Sequence, residues 1–271
     1  MAGRVLTLST LGRYGRFGNQ LFQLCFALGL ARRLDAEVQI PADWAGRKLF
    51  KIDLPAIAAM PNARTAENYI PSIRDVEQAG RLDLVGFWQF QDAVDLYSKQ
   101  DIKAWLVFQD WVQKKFPRKR SPGAVPVVAI HKRRGDYLSP ENLTRFCTVA
   151  GRSYYRCLYE QVLPELATHH DVAVDEVGEE KPWRDRQCDS LGLDFLPDFI
   201  RVMYADVVIR ANSSFSFWAP IFGDSIVYAP VIGDAVGWSD VHFVKGNHPR
   251  MIDPKYFGGM LHTDLMLKDR M

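Results

Sequence analysis

Three segments of the chain combine side chains that bind anions or sugars with the glycines and helix starts such binding needs. His131-Lys132-Arg133-Arg134-Gly135-Asp136-Tyr137 puts three consecutive cations directly after the apolar run Val127–Ile130. A run of that kind reads as a strand buried on both faces of a parallel sheet. Ligands of open α/β sheets bind beyond the carboxyl ends of the strands. Adjacent like charges are costly unless an anion joins them, and a guanidinium matches a phosphate with two parallel hydrogen bonds. Arg133 and Arg134 are therefore candidate diphosphate ligands. Asp136 is expected to hold one of the two, and His131 to donate to a phosphate or a base. The alternative is a solvated basic loop; the buried strand that aims the segment favours the functional reading.

Gly15-Arg16-Phe17-Gly18-Asn19-Gln20 lies between a short β-prone run, Val5–Thr10, and a helix read over Asn19–Leu34. Glycines let backbone N–H groups approach a ligand, and the positive end of the following helix points there. The turn reads as a cradle for a phosphate or a sugar, or equally as a plain helix start capped by Asn19. It is neither a Walker A loop nor the G-x-G-x-x-G dinucleotide fingerprint. Asn212-Ser213-Ser214-Phe215-Ser216-Phe217-Trp218 follows the strand-like Asp206–Ala211. Asn or Ser at a helix start caps free N–H groups and can form an anion site. The Ser213 and Ser214 hydroxyls could add bonds to a diphosphate. Phe215, Phe217 and Trp218 read as core, and a purely structural capped helix is the alternative. No D-x-D metal motif, H-E-x-x-H, EF-hand loop or G-x-S-x-G elbow is present, so a diphosphate would need its positive charge from Arg133 and Arg134.

The elements that must position these segments alternate between strand and helix. Glu37–Ile40, Leu82–Trp88 and Ser225–Ala229 read as further strands; Val94–Val112, Arg152–Leu166 and Ser213–Phe222 read as helices. Residues 169–197 show no clear period. Lys114–Pro126 holds three Pro, one Gly and five basic residues, the composition of an exposed linker. A length of 271 residues suits two domains. The expectation is an α/β fold with an N-terminal α/β domain over 1–120 and a C-terminal Rossmann-like domain over 121–271, facing a cleft where small ligands bind.

Composition narrows the function. A hydrophobic share of 48% and a charged share of 24% exclude general disorder. Lys plus Arg at 34 against Asp plus Glu at 32 gives a net charge of +2, too small for a general polyanion binder. The four cysteines, Cys25, Cys147, Cys157 and Cys188, form no C-x-x-C pair, which argues against a zinc ribbon, a thioredoxin site or a disulfide framework. The longest apolar stretch, Leu21–Ala31, is interrupted by Gln23 and is about half the ~20 residues of a membrane span. No secretory signal is read at the N-terminus, and a cytoplasmic protein with reduced thiols is expected.

Taken in order, the three segments resemble the α-1,2-fucosyltransferase family (glycosyltransferase family 11-like) and its relatives, the α-1,6- and protein O-fucosyltransferases. The family's G-x-x-G-N-Q turn is matched by Gly15 to Gln20, its H-x-R-R-G-D-Y by His131 to Tyr137, and its N-S-S-F-S-W-W by Asn212 to Trp218, with Phe217 replacing the first Trp. Gly86-Phe87-Trp88-Gln89 is similar to a further family segment. The resemblance implies a GT-B-like architecture of two Rossmann-like domains and inverting, metal-independent transfer of L-fucose from GDP-fucose to a glycan hydroxyl, α-1,2 to galactose. It implies no cofactor; the partners would be a nucleotide-sugar donor and a glycan acceptor, without nucleic acid or a membrane span. Arg133 and Asp136 would be catalytic, with Arg133 on the β-phosphate. Substrate would be bound by Gly15, Arg16, Phe17, Gly18, Asn19, Gln20, His131, Arg134, Asn212, Ser213, Ser214 and Phe215. The general base stays open between Asp136, Glu141 and the phosphate itself. The family carries a strand ending in Ser-Asp-Asp between the second and third motifs. Residues 171–189, with Glu176, Glu179 and Glu180, depart from that pattern; a guanine-reading carboxylate is expected there, with Asp198 a second candidate. Another nucleotide-sugar donor, a non-catalytic nucleotide-sugar or glycan binder, and a nucleic-acid binder using Lys114–Arg120 and Lys132–Arg134 are the alternatives; the near-neutral charge disfavours the last.

Overall fold

The computed structural model describes residues 3–118, 124–139, 149, 151–166, 172–180, 182–232, 241–247 and 251–252. The chain divides into two compact units, the first ending at Lys115 and the second beginning at Phe116. Each has its own parallel sheet. Among the described residues no helix is long and apolar enough to cross a membrane.

In the first unit, β1 (Val5–Thr7), β2 (Glu37–Gln39), β3 (Ala63–Arg64) and β4 (Arg81–Asp83) lie in the order β2-β1-β4-β3, all parallel. The chain leaves β1 toward β2 on one side, and β4 returns to pair with β1 on the other. The strand order therefore reverses between β1 and β4, the place in an open α/β sheet where ligands bind beyond the strand ends. Those two loops carry Gly15–Gln20 and Gly86–Gln89.

Helix α1 (Phe17–Leu34) crosses from β1 to β2 and is buried on nearly every side, with Leu21, Phe22, Leu24, Cys25, Phe26 and Ala27 wholly inaccessible. Helices apolar all round belong in a core. The helix starts two residues before Asn19, which lies inside the first turn and does not cap it. Arg16 is the N-cap, with no side-chain cap bond. Packing fixes this start: the Phe17 ring stacks at 6.3 Å from Trp44 and 6.2 Å from Phe50.

Two sequence expectations fail in this unit. The strand read over Leu82–Trp88 ends at Asp83, and further on Gly86 at φ 143° and Trp88 at φ 48° turn the chain out of the extended region. The helix read over Val94–Val112 is three short helices, Gln91–Val94, Lys99–Trp105 and Asp110–Lys115. Ser98 and Asp101 form a capping box that starts the second. Phe108 forms an antiparallel bridge with Phe50, and Lys51 N donates to Val107 O at 2.7 Å, which holds that stretch out of a helix.

In the second unit, β5 (Val127–Lys132), β6 (Ala173–Gly178), β7 (Val207–Ile209), β8 (Ile226–Ile232) and β10 (Met251–Ile252) lie in the order β10-β8-β7-β5-β6, all parallel; β9 (Val241–Lys245) pairs antiparallel with β8. Here the order reverses between β5 and β7. Val128 to Ile130 are fully buried, as a central parallel strand requires. The stretch without a clear period contains β6 and the helices Arg186–Ser190 and Leu196–Tyr204. β6 escaped detection because it is an edge strand with three of its six residues exposed, where polar residues are tolerated. The helix read over Arg152–Leu166 is interrupted by a π-helical turn, Leu158–Val162, before Leu163–Glu165. Pro164 follows that turn and has no N–H to continue the regular pattern.

Asp83 holds the strand ends of the first unit together. Its buried carboxylate accepts from Thr7 Oγ1 at 2.8 Å, Ser9 N at 2.8 Å and Ser9 Oγ at 2.6 Å, and pairs with Arg64 Nε at 3.1 Å. Replacing Asp83 by Ala leaves those donors unmet and should cost about 3 kcal/mol in chemical denaturation of the full chain; a loss below about 0.5 kcal/mol, the size of an ordinary surface change, would contradict this role.

Candidate functional site

The second unit builds its site at the end of β5. The parallel register sets His131 beside Val177 and Lys132 beside Gly178, so the residues that follow each strand meet. Lys132 Nζ donates to Glu176 Oε1 at 2.5 Å and Tyr155 Oη at 3.1 Å; Arg133 pairs with Glu179; Arg134 donates to Glu180 Oε1 at 2.6 Å. Each of the three cations thus faces a carboxylate of β6 or of the two residues after it. Asp136 lies in the 3₁₀ turn Gly135–Leu138, and its side chain is outside the described residues, as are Glu141, Cys147 and Asp171. Gly135 has φ 54°, and a Cβ there would collide with the Glu179 carboxylate, so glycine permits the close approach. The Arg133 guanidinium also lies over the Tyr137 ring at 4.6 Å.

His131 is buried and stacks on Phe215 at 5.1 Å. Burial, reinforced by the charges of Arg133 and Arg210, pushes its pKa down to about 3. It is therefore a neutral imidazole at physiological pH, with one nitrogen donating and one accepting. Its Nδ1 is buried with no hydrogen-bond partner among the described residues.

The third segment starts helix Ser214–Phe222. Ser213 is its N-cap and Ser213 Oγ accepts from Phe215 N at 3.3 Å, which realises the structural role; the hydroxyl proton is a separate donor. Asn212, Ser214 and Phe215 are half-buried, while Phe217 and Trp218 are core.

Arg210 was not singled out in the sequence, although a lone charge within Val207-Val208-Ile209-Arg210-Ala211 was the available signal. Its guanidinium is buried beneath the segment and donates to Asn247 Oδ1 at 2.9 Å and to Ser213 O at 3.4 Å. Burial lowers its pKa to about 9, so it stays a cation at neutral pH. Asp198 is engaged structurally: it accepts from Trp183 N at 3.2 Å and Arg201 Nη1 at 2.8 Å.

The first unit builds its site from the loops after β1 and β4. Gly15 has φ 79°, a conformation that favours glycine. Gln20 Nε2 donates to Gly15 O at 3.0 Å and its Oε1 accepts from Trp44 Nε1 at 2.8 Å; Gln23 Nε2 donates to Tyr14 O at 2.8 Å. Gln20 and Gln23 are thus scaffold, which explains amides within an apolar helix. Phe17 and Gly18 are buried, and Arg16 is exposed. Asn19 is half-buried, and its Oδ1 accepts from Gln89 Nε2 at 2.9 Å. Phe87 stacks on Tyr14 at 4.3 Å. The structure thus joins Gly86–Gln89 to Gly15–Gln20 in one unit, and His131–Tyr137 to Asn212–Phe215 in the other.

A histidine neutral when folded but protonated when unfolded makes stability rise with pH, and so fall as the solution is acidified. Between its ordinary value near 6.5 and its folded value near 3 the unfolded chain binds the extra proton. Stability should therefore fall between pH 6.5 and pH 3, with a contribution approaching roughly one proton. The profile of His131→Phe should be shallower by that amount over this range; parallel profiles would contradict the assignment.

No family model and no curated protein sequence matches the chain. Solved structures do match in fold. The fucosyltransferase NodZ from Bradyrhizobium superposes with a TM-score of 0.53 at 13% identity, over 90% of this chain and 99% of that one. NodZ described as an α-1,6-fucosyltransferase co-crystallised with GDP gives 0.51 at 14% identity, over 91% and 99%. The same enzyme soaked with GDP-fucose gives 0.50 at 14%, over 90% and 99%. The likeness does not single out the α-1,2 family: what this chain has in common with these proteins is an α/β fold of parallel-sheet, Rossmann-like pieces, matching GT-B fucosyltransferase structures.

Proposed function

We propose that the protein is an inverting, metal-independent glycosyltransferase that moves L-fucose from GDP-fucose to a glycan hydroxyl. The observation that carries this reading is the cation cluster at the switch point of the second sheet, with Arg133 beside the neutral His131 and the Ser213 helix start. The fold it shares with proteins solved with GDP and GDP-fucose supports the choice of donor. The motif resemblance favours α-1,2 transfer to galactose.

In this reading Arg133 exchanges the Glu179 carboxylate for the β-phosphate. The acceptor oxygen forms a bond to C1 of fucose from the face opposite the leaving group. The C1–O bond to the β-phosphate breaks, its electron pair stays on GDP, and the acceptor's proton passes to a base, the role left open between Asp136, Glu141 and the departing phosphate. Negative charge grows on the β-phosphate as the sugar gains oxocarbenium character. Arg133, the Ser213 hydroxyl and the N–H groups of the Ser214–Phe222 helix stabilise that charge where it develops. Arg210 raises the local positive potential from beneath and holds Ser213 through its carbonyl. The orphaned His131 nitrogen offers a ligand one hydrogen bond. Glu179 and Glu180, released from the arginines, follow β6 where the resembling family has Ser-Asp-Asp, and are the carboxylates proposed to read guanine. In the first unit, Asn19 offers its amide to a diphosphate or fucose oxygen.

A second reading, a nucleotide-sugar binder without transfer, draws on the carboxylates that already face all three loop cations. It requires GDP-fucose binding with neither transfer nor hydrolysis.

Arg133→Ala should lower turnover of GDP-fucose by at least about 10²-fold, the usual cost of one donor to a developing anion, with the melting temperature retained. Turnover within a factor of about three, well short of that loss, would remove Arg133 from the scheme. Transfer should persist unchanged in excess chelator; its loss on chelation and recovery with a divalent cation would overturn the metal-independent step.

A further inference from the structure

The segment Thr65–Tyr69 carries no motif, yet it ties the two loops of the first unit together. Asn68 Oδ1 accepts from Phe87 N at 2.7 Å and from Trp88 N at 3.0 Å, and Asn68 N donates to Val85 O at 2.9 Å. The loop passes close by: a Cβ on Gly86 would lie 2.5 Å from Asn68 Oδ1. Trp88 has φ 48° and is fully buried, stacked on Phe26 at 4.4 Å. A bulky residue in the left-handed region persists only where its surroundings impose it. Asn68 itself has φ 59°, which asparagine tolerates better than most residues.

The next residue along the loop is Gln89, whose Nε2 donates to Asn19 Oδ1. That bond fixes the orientation of the Asn19 amide, and its Nδ2 group is the donor Asn19 has to offer a ligand. That group sits beside Gly15, 2.8 Å from where a Cβ on Gly15 would be. A primary amide nitrogen carries two N–H donors and no acceptor, so it suits an oxygen ligand.

We propose that Asn68 is a positioning residue: by holding the backbone of Phe87 and Trp88 it fixes the Gln89–Asn19 bond and so presents the Asn19 amide as a donor to an oxygen of the nucleotide sugar. The identity of that ligand rests on the fucosyl-transfer reading; the relay of hydrogen bonds does not.

Three substitutions separate the parts. Asn68→Asp keeps an acceptor on the same short side chain. Asn68→Gly keeps the backbone conformation and removes the acceptor. Asn68→Ala removes the acceptor and strains the backbone. With folding checked by circular dichroism, Asn68→Asp should keep kcat/KM for GDP-fucose near wild type. Asn68→Gly and Asn68→Ala should lower it by about tenfold or more, the scale on which misplaced contacts act, with KM for GDP-fucose rising. The side-chain amide resonances of Asn19 and Gln89 should move in the Gly and Ala variants and stay in place in the Asp variant. Equal impairment of the Asp and Gly variants, or unchanged kinetics and unchanged amide resonances in the Gly variant, would overturn the proposal. If Asn68→Ala does not fold, the Asp and Gly pair decides by the same criteria. If the wild type neither binds nor turns over GDP-fucose, the functional reading fails, and the amide resonances still test the relay.

Discussion

Three positive charges on consecutive residues cannot sit at the end of a buried strand without counter-charge. The pairing of β5 with β6 supplies it. A parallel register brings Glu176, Glu179 and Glu180 to Lys132, Arg133 and Arg134. Everything proposed for the second unit follows from this constraint. The cations are held in place before any ligand arrives, and under the proposed function a diphosphate would compete with carboxylates rather than with water. Preorganised charge of this kind needs no reorganisation at the moment a leaving group develops its own.

The same local field explains the state of His131. Burial and two neighbouring guanidinium groups remove its proton, so it acts through hydrogen bonding and stacking rather than charge. Arg210 shows the other response to burial: its pKa falls, but from a height that leaves it charged at neutral pH. One strand end thus holds a neutral histidine among cations.

The sequence made the site segments legible because each sits at a strand end beside a change of period. The apolar run Val127–Ile130 announced a buried strand, and Ser213 announced a helix cap. What the sequence hid is tertiary. Edge strand β6 carries Asp175 and Glu176 and therefore looks like a loop. Gln20 and Gln23 look like ligands or interruptions until Trp44 and the turn carbonyls are seen to satisfy them. The helical period across Val94–Val112 came from three separate helices facing one core. Asn19 read as a cap because Asn is common there, whereas the packing of Phe17 against Trp44 and Phe50 sets the start of the helix. Asn68 had no pattern at all, since its partners are backbone N–H groups twenty residues away.

The central claim is that Arg133 takes the β-phosphate of a guanosine diphosphate in place of Glu179. Calorimetric titration of the wild-type chain with GDP and with GMP, which differ by that phosphate alone, tests it most directly. The account predicts that GDP binds at least about tenfold more tightly than GMP, the effect of about 1.4 kcal/mol and less than a charged hydrogen bond can supply. Equal affinity for the two nucleotides would contradict it.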